Sequence, residues 1–479
     1  MVKQTFDELQ TLLTDKGQQQ LLRFWNQLDD DQQQELADQL RAIDFDQLAG
    51  LLAEEDDSPG LLPGQMAPPR AIRPGQPRTT DLPGESLEEA VAIGEAALRQ
   101  GRVAMVLVAG GQGSRLGIPG PKGLLPIGPL SGRSLLQVTI DRVKAVSDRY
   151  GSQIPLMIMT SPSVHEATSR FLLENDHFGL DADNCRLFCQ GSTPVVDARS
   201  GKILLAAPGV VALSPDGHGG MVEALGRSGF LDDLVNRQMD IVFYAQVDNP
   251  LAQVCDPALI GFHLSAQSEL TSQAVKKNDA MEKTGNIVAV EDHLEVIEYS
   301  ELPESLARAT CPEGELRFWA GSIAVHVFSR SLLEEAARQG DWLPFHHAQK
   351  QVPFIDDDGN LQEPAEENAV KFERFIFDLL PRAKNALVVE VERASAFAPV
   401  KNADGSGQDT PTTAQNAIIA LHRQWLLDAG VEIDDDVPVE IHPSWALRAE
   451  DLLEQPGLPG AIHEPTLLTR DDTTDNPHD

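Results

Sequence analysis

The stretch Val103-Ala-Met-Val-Leu-Val-Ala-Gly-Gly-Gln-Gly-Ser-Arg-Leu-Gly117 decides how the rest of the chain is read. It opens on six apolar residues without polar alternation, the pattern of a strand buried on both faces. Three glycines follow within four positions: Gly110, Gly111 and Gly113. Backbone without side chains can approach a ligand closely there and turn its amides toward anionic oxygens. Two commoner phosphate motifs do not fit. A dinucleotide fingerprint counted from Gly111 needs glycine where Leu116 stands, and a Walker loop needs Gly-Lys-Ser/Thr, whereas Lys122 sits between Pro121 and Gly123. The glycines by themselves also suit a plain strand-to-helix turn; Arg115 and Lys122 add the charge of an anion cradle.

The same texture recurs downstream. Leu156–Met159 and Ile241–Val247 are apolar runs that close on polar clusters, with helical periods between them in Ser134–Val146 and His165–Leu173. This predicts an α/β fold of buried, mostly parallel strands with crossover helices, and ligands in such sheets bind at the carboxyl ends of the strands. Upstream, residues 1–55 read as helical: Leu21, Leu22, Trp25 and Leu28 recur at helical spacing, as do Leu36, Leu40 and Ile43 after Asp29-Asp30-Asp31. Residues 58–84 hold seven prolines and four glycines and read as an extended connector crossing the surface, with a helix at about 86–100 behind it. Beyond about residue 396 come a glycine-rich loop, a helix near Thr412–Ala429, a β-like stretch Val439–Ile441 between prolines, and a polar tail from Arg470 to Asp479 that reads as disordered. The division expected is therefore a helical arm with its connector (1–100), a central α/β domain (101–395) and a small C-terminal domain (396–479).

Composition narrows the partners. The 479 residues carry 38 Lys+Arg against 74 Asp+Glu, a net charge of −36. Such a field repels nucleic-acid backbones and anionic lipid, so neither is expected as a partner. It repels nucleotides as well, so a phosphate site must be a local pocket of backbone amides, a few cations and a metal. Cys185, Cys189, Cys255 and Cys311 show no C-x-x-C spacing and read as reduced thiols of a cytoplasmic protein. The N-terminus lacks the apolar core of a signal peptide, and no apolar run approaches the roughly 20 residues of a membrane span.

Val108–Gly117 followed by Pro121-Lys-Gly123 resembles the signature loop of the UDP-N-acetylhexosamine pyrophosphorylases, within the wider group of UTP-dependent sugar-1-phosphate uridylyltransferases. The resemblance runs almost end to end. It takes in Gln20-Leu-Leu-Arg-Phe-Trp-Asn26, Ile43-Asp-Phe-Asp46, Ile158-Met-Thr-Ser-Pro162, Gln190-Gly191 and Ser214-Pro-Asp-Gly-His-Gly-Gly220. It continues through Val247-Asp-Asn249, Val296-Ile-Glu-Tyr-Ser-Glu301 and Val400-Lys-Asn-Ala-Asp404. It implies a Rossmann-like nucleotidyltransferase sheet, and an enzyme that transfers UMP from UTP to a hexosamine 1-phosphate, N-acetylglucosamine 1-phosphate being favoured, with release of pyrophosphate.

A phosphate monoester oxygen is anionic at neutral pH, so this reaction needs no general base. Its barrier lies in bringing two polyanions together and in the charge that develops on leaving pyrophosphate. The resemblance implies who meets it. Asp248, closing the run Ile241–Val247, holds Mg²⁺ (Mn²⁺ being the alternative), an ion content with one carboxylate when phosphate oxygens and water complete its shell. Lys122 and Lys371, with the backbone of Val108, Ala109, Gly110 and Gly111, serve UTP; Gln190 and Gly217 serve its uridine end. Lys401 serves the sugar phosphate, Arg115 the transition state, and Glu298 and Tyr299 the sugar. Two departures fall on the sugar side. His218 replaces an asparagine in the glycine-rich turn, and Phe318-Trp-Ala-Gly-Ser-Ile323 puts Trp319 and Ser322 where the family's eukaryotic members carry asparagines. A larger, less polar residue at 319 is expected to alter the sugar pocket. Glucose 1-phosphate or relaxed hexose specificity is accordingly the alternative. From other classes come a UDP-sugar glycosyltransferase, which has no need of a loop for a triphosphate tail, and an inactive nucleotide-binding homologue, which has no need to keep Arg115, Lys122, Asp248 and Lys401 together. His346-His347 lacks the spacing of a zinc helix and reads as structural.

Overall fold

Val103–Val108 is the third strand, in chain order, of an eleven-stranded sheet. Its strands are β1 (Met66–Ala67), β2 (Ala71–Ile72), β3 (Val103–Val108), β4 (Leu156–Thr160), β5 (Cys185–Cys189) and β6 (Ile241–Gln246). They continue as β7 (Leu270–Lys276), β8 (Asn286–Val290), β9 (His293–Ile297), β10 (Ala320–Ser329) and β11 (Leu387–Glu390). The main path runs β2-β11-β7-β10-β6-β3-β4-β5, with β8 joining β10 and carrying β1 and β9. Along that path only the two pairings made by β10 are antiparallel; the other five are parallel. The sheet is thus mixed and mostly parallel, as the uninterrupted apolar runs predict. The computed structural model describes residues 2–53, 65–73, 86–340 and 342–470.

Helices α1 (Leu87–Arg99), α2 (Leu135–Tyr150), α3 (Pro162–Glu174) and α4 (Pro257–Ser265) accompany the sheet. Each begins where the sequence supplies a start signal. Ser86 and Glu89 form a reciprocal cap on α1, the Ser134 hydroxyl takes the Gln137 amide on α2, and Asp256 takes the amides of Ala258 and Leu259 on α4. Pro162 and Pro257 occupy first-turn positions, where no N–H is missed. Helices α1 and α4 cross in backbone contact. A Cβ on Gly94 would sit 1.9 Å from the Pro257 carbonyl oxygen, and one on Gly261 1.7 Å from that of Ala90. Only glycine permits this crossing.

Beyond the sheet, α5 (Pro411–Asp428) and the parallel pair Val439–Ile441 with Thr466–Leu468 enclose a small core of Leu426, Val431, Ile441, Leu452 and Ile462. Two expectations change here. Part of the predicted surface connector is instead sheet: β2 pairs in parallel with β11, and β1 antiparallel with β8. Residues 58–64 and 74–84, like the tail 471–479, lie outside the described residues.

Packing also divides the chain differently from the sequential boundaries at 100 and 395. One compact unit holds Leu62–Cys189, Val222–Gly340 and Phe377–Asp479; the other holds Met1–Leu61, Gln190–Met221 and Asp341–Ile376. In the second unit, helices Val2–Asp15, Asp30–Ala42 and Phe45–Ala53 lay Leu13, Trp25, Leu36 and Leu40 against Val196, Ile203, Val211 and Phe372. The arm cannot bury its apolar stripe alone, and the short strands of the two insertions cannot bury theirs, so each completes the other's core. Glutamines stitch the contact: Gln18 accepts from the Ile203 amide at 3.0 Å and donates to the Gly201 carbonyl at 3.1 Å, and Gln39 accepts from the Val211 amide at 2.9 Å. The spacing at Leu21–Leu28 proves to be two single 3₁₀ turns, Gln19–Leu22 and Trp25–Gln27, rather than a continuous helix.

His263, in α4, is buried, with Nδ1 3.0 Å from the Thr271 hydroxyl and Nε2 3.3 Å from that of Ser329. Burial pushes its pKa down to about 4. The unfolded chain, titrating near 6.5, then binds a proton that the folded chain refuses. Stability from this group is complete above about pH 6.5 and is lost as pH falls toward 4. Unfolding midpoints measured from pH 7.5 to 5 should show a loss of about 2 kcal/mol from this one group. His263→Asn should be less stable at pH 7.5 yet flatter across the window; an unchanged slope would remove His263 from the account.

Candidate active site

The carboxyl ends of β3 and β6 lie side by side, because the two strands pair in parallel from Val103↔Ile241 to Val108↔Gln246. The glycine loop leaves one end and Asp248 the other. The loop folds back on itself: the Gly113 amide donates to the Gly120 carbonyl at 2.8 Å, and the Lys122 amide to that of Gly111 at 3.0 Å. Ser161, fully buried beyond β4, pins its base by donating to the Gly110 carbonyl at 2.7 Å. This return brings the Lys122 ammonium 2.9 Å from the Asp248 carboxylate, both side chains less than one-fifth exposed. Arg115 stands exposed on the loop, and Gly111 is exposed backbone.

Asn249 ties this edge to a distant part of the chain. Its amide donates to the Ala396 carbonyl at 2.8 Å and accepts from the Ala398 amide at 3.1 Å, while the Val400 amide donates to the Asp248 carbonyl at 2.9 Å. Lys401 is thereby held next to β6. Its ammonium reaches the Lys283 carbonyl at 3.3 Å and lies 5.7 Å over the Phe397 ring. Nearby, Lys277 is buried and donates to Asn286 Oδ1 at 2.5 Å; burial lowers its pKa, against the pull of Glu282 and Asp279. Sequence reasoning missed Lys277, Ser161 and the stitching role of Asn249. Ser161 and Asn249 had a signal, standing inside the quoted Ile158-Met-Thr-Ser-Pro162 and Val247-Asp-Asn249 motifs; Lys277 had none.

The sugar-side residues of this unit divide. Glu298 and Ser322 flank Gly285, whose Cβ would lie 3.5 Å from Glu298 Oε1 and 3.9 Å from Ser322 Cβ. Strand β9 ends at Ile297, so Glu298 and the exposed Tyr299 follow it rather than lie within it. Trp319 departs from the expectation that it lines a sugar pocket. It is 7% exposed, packs with Ala274, Ile287, Ala320 and Val388, and carries the Arg73 guanidinium 4.7 Å above its ring. Its bulk fills core.

Gln190, Gly217, His218 and Lys371 belong to the second unit, which holds a buried ion pair. Arg374 donates to Asp216 Oδ2 at 2.6 Å, with Asp216 3% exposed. Gln190 Nε2 donates to Asp216 Oδ1 and to the Gly217 carbonyl, both at 3.1 Å. With that nitrogen committed, the amide offers a ligand its oxygen, an acceptor suited to the ring N–H of a pyrimidine. Gly217 has φ +83°, and a Cβ there would lie 2.4 Å from the Arg374 carbonyl oxygen, so no side chain fits. The strand carrying Arg374 (Ala369–Arg374) also carries Lys371, paired with Ala348. His218 stacks on Phe375 at 5.4 Å and its Nδ1 accepts from the Ile376 amide at 3.2 Å, which leaves the proton on Nε2. Burial, with repulsion from His346, pushes its pKa down to about 4, so His218 is a neutral donor at physiological pH. His346 lies 4.5 Å from Phe375 and His347 edge-on to Phe372, both in strand Phe345–Lys350.

Chemically, the first unit offers amides, lysines and one carboxylate at the ends of parallel strands, a set for phosphate. The second offers an acceptor amide, an open glycine backbone and a neutral imidazole, a set for an uncharged polar ring. Comparison with known proteins bears on both. The family described as UTP–glucose-1-phosphate uridylyltransferase matches residues 71–443. The chain is 34% identical over 466 residues to the UDP-N-acetylglucosamine pyrophosphorylase of Saccharomyces cerevisiae, covering 93% of this chain and 96% of that one. It is 33% identical over 450 residues to UDP-N-acetylhexosamine pyrophosphorylase-like protein 1 of Xenopus tropicalis, covering 91% and 88%. Among solved structures, a putative UDP-N-acetylglucosamine pyrophosphorylase from Entamoeba histolytica aligns with a TM-score of 0.74 at 32% identity, over 80% of this chain and 96% of that one. The corresponding pyrophosphorylase of Trypanosoma brucei, solved with an inhibitor, shares the fold with a TM-score of 0.78 over 98% and 99% of the two chains, at 24% identity.

The Asp216–Arg374 pair makes a direct prediction. Asp216→Asn leaves a guanidinium buried without its counter-charge and should cost about 3 kcal/mol of stability. Hydrogen exchange should rise within 190–221 and 341–376; protection there equal to wild type would show that the pair is dispensable.

Proposed function

The chain belongs to the UTP–glucose-1-phosphate uridylyltransferase family, and from that premise we propose that it joins N-acetylglucosamine 1-phosphate to the UMP moiety of UTP. It is a UTP-dependent uridylyltransferase. The observation that carries the reading is the contact between Lys122, on the returning glycine loop, and Asp248, at the end of the neighbouring parallel strand. A sugar phosphate oxygen attacks the α-phosphorus of UTP, the bond to the β-phosphate oxygen breaks, and pyrophosphate leaves. Nothing has to be deprotonated. The protein's task is to place two polyanions in line and hold the charge that moves to the leaving group.

The loop amides and Lys122 hold the triphosphate, with Arg115 on the same loop as a further cation. Lys401, anchored through the Val400–Asp248 and Asn249–Ala396 bonds, serves the incoming sugar phosphate. Gln190 Oε1 takes the uracil ring N–H, and Gly217 leaves its backbone open to the base. Asp248 would hold Mg²⁺ or Mn²⁺. The donor chemistry is that of such an ion, one carboxylate with phosphate oxygens and water left to complete the shell, although the Lys122 ammonium has to yield that carboxylate oxygen to it. When bound, the ion neutralises charge on the phosphate chain. Four free cysteines suit a reducing, cytoplasmic setting.

Two features bear on the sugar. The relatives are named for N-acetylglucosamine or N-acetylhexosamine. Glu298 beside Ser322 supplies an acceptor and a small hydroxyl for sugar hydroxyl or amide groups. A second reading, relaxed hexose or glucose 1-phosphate specificity, draws on the same Ser322, which leaves more room than asparagine, and on the Nε2–H donor of His218.

Pyrophosphate release with UTP and Mg²⁺ tests the reading, run in parallel with N-acetylglucosamine 1-phosphate and glucose 1-phosphate. The expected result is no release without a sugar phosphate and release that is faster with the hexosamine phosphate; a preference for glucose 1-phosphate selects the second reading, and silence with both sinks the reaction. Lys122→Ala and Asp248→Ala should each lower turnover on the order of 10²-fold or more. Wild-type rates in either variant would move the site elsewhere.

A further inference from the structure

One cavity in the sheet-bearing unit has no part in the reading above and is independent of it. It measures about 100 Å³ and lies where α2, the loop Leu251–Pro257 after β6, α5 and the strand Val439–Ile441 meet. One wall is apolar, built by Val138, Val146, Leu251, Ile418, Leu421 and the Trp425 ring. The other is charged, and almost all of its charge is spent. Glu440 accepts from the amides of Leu130 and Ser131 at 2.7 and 2.8 Å and from the Ser131 hydroxyl at 2.7 Å. Asp256 caps α4. Arg133 pairs with Asp141 at 3.0 Å, Arg149 with Asp451 at 2.6 Å, and Arg448 with Glu95 and Asp451 at 3.3 and 3.4 Å.

Arg142 is the exception. Among the described residues no carboxylate lies within 4.0 Å of its guanidinium. One nitrogen, Nη1, donates to the carbonyls of Pro250 and Ala252. Nε and Nη2 have no protein acceptor among the described residues, and the side chain lines the cavity. Desolvation pushes the group down to about 10, with Asp141 only partly opposing it. Close by, Arg133 Nη1 is buried without an acceptor. A guanidinium presents Nε and Nη2 as a parallel pair of donors that matches the two oxygens of a carboxylate.

We propose that this cavity is a binding site for a small organic carboxylate, its oxygens on Arg142 and its apolar body against Val138, Val146, Leu421 and Trp425. Because Arg142 also holds the carbonyls of Pro250 and Ala252, occupancy bears on the loop that directly follows Asp248, which gives the site a regulatory position.

Calorimetric titration of the full chain with benzoate tests this, with benzyl alcohol as the neutral isostere of similar size. Benzoate should bind in the millimolar range or tighter and at least about tenfold better than benzyl alcohol. Arg142→Gln should weaken benzoate by about tenfold or more and leave benzyl alcohol unaffected, and Leu421→Trp, which fills the cavity and keeps the arginine, should abolish both. Absence of benzoate binding to the wild-type chain overturns the proposal. So does equal binding of the two probes, which needs no variant to fold, or benzoate binding that survives Leu421→Trp.

Discussion

Everything at the proposed catalytic edge depends on the register of one strand pair. Six consecutive residues of Val103–Val108 pair in parallel with six of Ile241–Gln246. A slip of one residue would move the end of either strand by about 3.3 Å and exchange its two faces. Both strands are buried on both faces, so the register rests on packing all around them as much as on the hydrogen bonds between them. It sets the glycine loop beside Asp248, and with the loop's return it closes the Lys122–Asp248 contact. It also presents Asn249 to residues 396–398, which brings Lys401 to the same edge from more than a hundred residues away. A strongly acidic chain gains a local cationic pocket in this way without altering its overall charge.

The second unit is organised around a polar pair instead of an apolar strand. Asp216 and Arg374 are removed from water, and every neighbour is shaped by that. Gln190 gives its amide nitrogen to the carboxylate, Gly217 yields the space a side chain would need, and the Arg374 amide donates back to the Asp216 carbonyl at 2.8 Å. A buried pair is poor evidence for extra stability, since well-packed apolar residues often serve as well, but it is intolerant of displacement. That intolerance suits a turn that must present one oxygen and one stretch of backbone in a defined place. The helical arm takes part by completing the apolar core beneath these short strands, which hold few hydrogen bonds of their own.

Much of this was legible from the residues. Apolar runs at 103–108, 156–159 and 241–247 named three parallel strands, and the helical readings from about 86, from Ser134 and from His165 met helices that start at Leu87, Leu135 and Pro162, because burial and helical periodicity leave local signatures. The glycine loop, Lys122 and Asp248 announced themselves as a phosphate motif. Other features left no local trace. Trp319 reads as a pocket residue by position, yet whether an indole faces a ligand or a core depends on what packs over it, and here Arg73 and Val388 do. The crossing of α1 and α4 at Gly94 and Gly261 is invisible until the two helices are side by side, as is the closure of β1 and β2 onto the sheet from a segment rich in proline.

The sequence by itself determined the fold class and, through its resemblance to a known family, the reaction class, since strand burial and the order of short motifs are properties of short stretches of chain. Tertiary structure alone decided that Lys122 meets Asp248, that Gln190 gives its amide nitrogen to Asp216, that Trp319 is core, and that Arg142 has no carboxylate within 4.0 Å among the described residues. Each of these depends on distances between residues far apart in the chain. Such distances are set by packing, which is a property of the whole structure and of no segment in it.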